Sequence, residues 1–194
     1  MNTLIVYTHP NEKSLNSSIL NNVKEIIKSN KHEFDIIDLY KENFNPVLVF
    51  NENQKRRDLF KDQETEKYRK LIEKAELIIF IYPVWWNEMP AILKGFIDRV
   101  FVKDFAYKLD GLMPIGLLKG KKSYIINTMD APKLFVKFFL LESHYKNFKN
   151  NILKFCGVKN LGKFTFYQVK NKKNEEIVRE LNYMKKTLEK ILKL

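Results

Sequence analysis

Leu77-Ile78-Ile79-Phe80-Ile81-Tyr82-Pro83 contains the longest clean apolar run in a chain of 194 residues. Six apolar residues without polar alternation fit a strand covered on both faces, as a central strand of a parallel sheet is. Pro83 has no N–H to offer a neighbouring strand and ends the run. Seven residues on, Pro90 suits the first position of a helix that carries Ile92, Leu93, Phe96, Ile97, Val100 and Phe101 at helical spacing. Helical patterning also leads into the strand, from Thr65 through Leu71, Ile72 and Ala75.

The same strand, loop and helix unit recurs on either side. Thr3-Leu4-Ile5-Val6-Tyr7 reads as a strand, His9-Pro10-Asn11-Glu12 as a turn, and Leu15, Ile19, Val23, Ile26 and Ile27 as one helix face after Ser14. Phe34-Asp35-Ile36-Ile37-Asp38-Leu39 is a second strand, Ser123-Tyr124-Ile125-Ile126-Asn127 a fourth and Lys163-Phe164-Thr165-Phe166-Tyr167 a fifth. A helix is expected from Leu134 to Phe155, capped by Gly157, and a last one through Ile177, Leu181, Met184, Leu188 and Ile191. Residues 40–64, with Asn43-Phe44-Asn45-Pro46 and a charged stretch at 54–61, read as a long excursion with one helical turn, a length of loop that usually has a task. The pattern implies an α/β fold, a doubly wound five-stranded parallel sheet with helices on both faces, spanning residues 1–194 as a single domain.

Lys and Arg number 35 against 23 Asp and Glu, a formal charge of +12. So basic a balance raises nucleic acid as a partner, because clustered cations neutralise phosphates and release counterions. The lysines are instead spread over every predicted helix, with short groups at Lys119-Gly120-Lys121-Lys122 and Lys170-Asn171-Lys172-Lys173. They read as a solvated face, and no nucleic-acid partner is expected. The single cysteine, Cys156, excludes an intramolecular disulfide and fits a small core residue in a reducing compartment. His9, His32 and His144 fall in unrelated segments, so no metal site is expected. No run approaches the roughly 20 apolar residues that span a bilayer, and the opening apolar stretch ends at Thr8-His9-Pro10, too short for a secretory signal. The expectation is a cytoplasmic protein with no membrane insertion.

In open parallel sheets, ligands bind beyond the carboxyl ends of the strands, where helix N-termini direct backbone N–H groups outward. Three loops qualify, at residues 8–16, 83–89 and 128–132. The first offers His9, Ser14 and Asn16 as donors suited to a phosphate, with Ser14 also fitting a plain helix N-cap. Its lack of glycine argues against a Walker A loop and a dinucleotide G-x-G-x-x-G turn. No glycine-flanked elbow exposes Ser14 as a hydrolase nucleophile. The second loop sets both tryptophans of the chain, Trp85 and Trp86, side by side at the sheet edge, an apolar wall for a flat ring. These residues describe a site for an anionic, planar, aromatic ligand, with a flavin nucleotide ahead of other nucleotides.

The stretch Tyr82-Pro83-Val84-Trp85-Trp86-Asn87-Glu88-Met89-Pro90-Ala91-Ile92-Leu93-Lys94-Gly95-Phe96-Ile97-Asp98-Arg99-Val100-Phe101 closely resembles the flavin loop and helix of the NAD(P)H:quinone oxidoreductase family, the DT-diaphorase type of flavodoxin-like flavoenzyme. His9-Pro10, Ser14-Leu15-Asn16, Asp38-Leu39-Tyr40, Asn43-Phe44-Asn45-Pro46, Phe105-Ala106-Tyr107 and Ile152-Leu153-Lys154-Phe155-Cys156-Gly157 extend the resemblance over most of the chain. It implies a flavodoxin-like fold of the shorter bacterial type. It implies that His9, Ser14, Leu15 and Asn16 hold the flavin phosphates, that Pro83, Val84, Trp85, Trp86 and Asn87 line the isoalloxazine ring, and that Asn127, Thr128, Met129 and Asp130 close its other edge. Tyr107 matches a residue of the acceptor pocket, shared with Trp86, that the family supplies from the partner subunit of a homodimer. The implied activity passes two electrons from NAD(P)H through bound FAD or FMN, with FAD favoured by the resemblance, to a quinone or similar small-molecule acceptor.

Two departures stand out. Where the family reads Thr-Thr-Gly-Gly after the fourth strand, this chain has Asn127-Thr128-Met129-Asp130. The tyrosine and histidine that follow that loop in the animal enzymes have no counterparts, because His144-Tyr145 is out of register. Readings in other classes are a flavodoxin-like electron carrier, which the positive charge disfavours, and a flavin-binding regulatory subunit of a transport system.

Overall fold

The computed structural model describes residues 1–52 and 55–193. Asn53 and Leu194 lie outside the described residues, as does Gln54, which opens the charged stretch expected at 54–61. The chain runs through β1 (Asn2–Tyr7), α1 (Leu15–Ser29), β2 (Glu33–Asp38), α2 (Gln63–Lys74), β3 (Leu77–Pro83) and α3 (Ala91–Val100). A hairpin of β4 (Tyr107–Asp110) and β5 (Met113–Gly116) precedes β6 (Lys122–Thr128), α4 (Lys133–Phe138), α5 (Ser143–Asn147), a π-helical turn (Phe148–Leu153), β7 (Lys159–Phe166) and α6 (Asn174–Leu192). Five strands form one all-parallel sheet in the order β2-β1-β3-β6-β7. The apolar run at 77–83 is its central strand, buried along its whole length.

Alternation along the central strands divides the core in two. Leu4, Val6, Ile78, Phe80 and Tyr82 face one side, against Tyr68 and Ile72 of α2, Leu93, Phe96 and Val100 of α3, and Phe148. Ile5, Tyr7, Ile79 and Ile81 face the other, against Ile19, Val23 and Ile27 of α1 and Met184 and Leu188 of α6. Each fully buried side chain of this size contributes about 1.5–3 kcal/mol of transfer free energy. The last helix, whose four-three spacing also fits a coiled coil, is therefore a sheet-packing helix.

The excursion at 40–64 is tied down. It carries a 3₁₀ turn at Arg56–Lys61, and Arg99 of α3 donates to the Asn45 carbonyl at 2.8 Å and to Asp62 Oδ2 at 3.0 Å. Phe44 packs edge-on between Tyr68 and Phe96.

The expected continuous helix from Leu134 to Phe155 is corrected. Leu141 and Glu142, with left-handed φ angles of 52° and 53°, break it after α4, and α5 then runs on without interruption into the π turn. Glu142 is drawn back to the sheet by Lys163 of β7, Nζ to Oε1 2.7 Å. The apolar period that mimicked a core helix is supplied partly by Leu134, Phe135, Phe138 and Phe139, which face outward instead. The hairpin β4–β5 was not expected. No helix among the described residues is long and apolar enough to cross a membrane, and no group of metal-ligating side chains gathers among them.

Candidate functional site

From β1 the chain winds outward to β2, then crosses back to β3 on the other side of β1. The loops after β1 and β3 therefore diverge and leave a crevice at the sheet's carboxyl edge. Backbone hydrogen bonds fix its floor: Thr8 N–H donates to Ile81 O at 2.9 Å, Val84 N–H to Thr128 O at 2.8 Å and Met129 N–H to Phe166 O at 2.8 Å.

A cavity of about 230 Å³ opens on this crevice. His9, Ser14, Leu15 and Asn16 line one end, Pro83, Val84 and Trp85 a second side, and Thr128, Met129 and Asp130 a third. Ser14 is the N-cap of α1, its Oγ accepting from Ser17 N–H at 3.2 Å. The amides of Leu15 and Asn16 thus sit in a first helical turn, where no intrahelical acceptor exists. His9 Nδ1 lies 3.0 Å from both the N–H and the carbonyl oxygen of Asn11, which holds the ring to its own loop. The buried Asn16 amide donates to Thr128 Oγ1 at 2.9 Å while its Oδ1 has no partner, and the Thr8 hydroxyl is likewise buried and unpartnered. One end of the cavity is a cluster of N–H donors at a helix N-terminus, suited to an anion. Pro83, Val84, Trp85 and Met129 add an apolar part to the same lining.

Trp86 and Asn87 form the tip of a tight turn closed by Trp85 and Glu88. The Trp86 side chain is fully exposed and does not line the cavity. Asn87 turns away, donating from Nδ2 to Ser143 Oγ at 2.7 Å. Asn127, at the end of β6, is wholly buried beneath the cavity rather than on its wall. Tyr107 lies elsewhere, in a second cavity of about 210 Å³ with Ile97, Phe101, Phe155 and Cys156, and its ring meets Phe155 edge-on at 4.9 Å. Burial pushes the Cys156 thiol up to about 12.

Val169 and Lys170, which no sequence motif marks as site residues, also line the cavity after β7. Lys170 pairs with Asp130, Nζ to Oδ2 3.0 Å, and its backbone N–H donates to Asp130 Oδ1 at 3.1 Å. The carboxyl-edge rule that selected the other three loops applies equally to β7, but Lys170 belonged to a short basic group that reads as solvated surface. His144 is buried with neither ring nitrogen hydrogen-bonded. Burial, reinforced by the Lys163 charge, lowers it to about 4.

A family model described as the flavodoxin-like fold matches residues 1–188. An uncharacterized NAD(P)H oxidoreductase of Haemophilus influenzae is 34% identical over 163 residues, 83% of this chain and 81% of its own length. Human ribosyldihydronicotinamide dehydrogenase (quinone) is 32% identical over 179 residues, covering 80% of this chain and 77% of its own. The crystal structure of Smu.1420 from Streptococcus mutans UA159 superposes with a TM-score of 0.93 at 43% identity, over 98% of this chain and 100% of that one. With a five-stranded parallel sheet, a cavity at its carboxyl edge and relatives named as NAD(P)H oxidoreductases, the chain belongs to the flavodoxin-like family and is an oxidoreductase of it.

Proposed function

We propose that the chain binds a flavin nucleotide, FAD or FMN, in the cavity at the β1/β3 crevice, and passes two electrons from NAD(P)H to a quinone or similar small acceptor. The observation that carries this reading is the pairing within one cavity of an N–H-rich helix terminus and an apolar lining that includes Trp85, which match an anionic tail and a flat ring respectively. When bound, the flavin supplies the chemistry of accepting and returning a hydride.

The chain's own residues bind and orient. His9, Ser14, Leu15 and Asn16 take the phosphate, and the orphaned Asn16 Oδ1 is an acceptor for a ligand N–H or O–H. Pro83, Val84, Trp85 and Thr128 to Asp130 flank the ring, with Asn127 supporting the last loop from below. Lys170 neutralises Asp130 beside an anionic ligand. Trp86 and Asn87 border the acceptor, and Tyr107 joins that pocket from the second subunit of a homodimer. Support for the dimer comes from the β4–β5 hairpin, which leaves Leu109, Leu112 and Met113 exposed. The lone buried cysteine fits action in a reducing compartment, the cytoplasm.

Titration of the flavin-free protein with FMN, FAD and riboflavin tests the assignment. FMN or FAD is expected to bind at least tenfold tighter than riboflavin, which lacks the phosphate. Equal affinity for all three would remove the phosphate site from the start of α1.

A further inference from the structure

Trp86 and Asn87 both have positive φ, 51° and 57°, and Trp85 and Glu88 close around them with reciprocal backbone hydrogen bonds of 2.9 Å. A two-residue turn of this kind selects Gly, Asn or Asp, and a tryptophan is strained there. The Trp86 side chain is fully exposed, so the chain governs its direction only through the backbone and the rotamers that backbone allows. That backbone is held from outside. Asn87 Nδ2 donates to Ser143 Oγ at 2.7 Å, and one helical turn along α5 Asn147 Nδ2 donates to Glu88 Oε1 at 3.1 Å. Asn151 Nδ2 donates to Asn147 Oδ1 at 2.9 Å, which orients the Asn147 amide with its NH₂ toward Glu88. The N-terminal end of α5 is fixed in turn by the Lys163–Glu142 pair.

We propose that Asn147 is a positioning residue for the reaction. Through Glu88 it clamps the strained turn and so fixes where Trp86 stands against the electron acceptor. The proposal rests on the reading that this loop borders a flavin.

The test joins amide exchange to kinetics. In Asn147→Ala, exchange of the Trp85 and Glu88 amides in the flavin-free protein is expected to accelerate at least tenfold. In the flavin-loaded enzyme, KM for a quinone is expected to rise at least fivefold, with kcat and the rate of flavin bleaching by NADPH within twofold of the parent. Asn147→Asp sets two carboxylates together and is expected to reproduce the defect. Adding Glu88→Gln restores the hydrogen bond with its polarity reversed, and both readouts are expected to recover. Unchanged exchange in Asn147→Ala overturns the clamp whatever the protein binds. Faster exchange with an unchanged quinone KM, or a double variant that does not recover, overturns the positioning role. Failure of the underlying flavin reading shows separately, as a parent protein that binds no flavin, and takes this proposal with it.

Discussion

Two adjacent tryptophans have opposite surroundings: Trp85 walls the cavity while Trp86 stands clear of it. Trp85→Ala is therefore expected to weaken flavin binding about tenfold, the scale of one aromatic contact, whereas Cys156→Ala leaves it unchanged. Fluorescence titration distinguishes them, and equal effects would contradict the wall. His144 gives a pH prediction. Folded, the ring stays neutral down to about 4, but in the unfolded chain it takes a proton near its ordinary value of about 6.5. Between those values the unfolded state binds more protons, so the contribution is complete above pH 6.5 and is lost as pH falls toward 4, by about 3 kcal/mol in all. Urea denaturation across that range is expected to show the loss in the parent protein and a flatter profile in His144→Leu. At this scale the cavity end formed by Ser14 and Asn16 was legible, because both follow a strand and open a helix. It did not separate Trp85 from Trp86, since the left-handed turn that parts them depends on Ser143 and Asn147, far along the chain.

Strands and helices that face the sheet on one side follow their sequence period closely, because burial enforces it. Where the period misled, the apolar residues point elsewhere. Phe135 and Phe139 stack on each other at 5.4 Å on the outside of α4, so there an apolar spacing of four marks an exposed face rather than a core one. The β4–β5 hairpin turns through Gly111-Leu112, with Gly111 first in the loop at φ 59°. Its strands are only four residues each, too short for alternation to register. Close approach of α3 to the excursion is testable at one position. A Cβ on Gly95 would lie 2.3 Å from Pro46 O and 2.4 Å from Pro46 Cβ. Gly95→Ala is expected to lower stability by about 1–3 kcal/mol as the excursion is pushed off α3, measured by urea denaturation. Unaltered stability would contradict the packing described between these segments.

For the molecule as a whole, winding order places the crevice; alternation of strands and helices implied a parallel sheet, whereas the order β2-β1-β3-β6-β7 is seen only in the structure. Tyr107 lies away from the crevice, so in the proposed arrangement it reaches the acceptor only from a second subunit. The proposed dimer predicts a solution mass near twice the 23.2 kDa of the chain by light scattering. Leu112→Asp, at a side chain 98% exposed in the single chain, is expected to shift the protein toward monomer and depress quinone turnover while flavin stays bound. Whether the crevice holds a flavin that NAD(P)H reduces and a quinone reoxidises is decided by the anaerobic visible spectrum of the purified protein. Flavin bands that bleach on adding NADPH and return on adding a quinone are the predicted result. A folded, colourless protein that takes up neither FMN nor FAD would contradict it.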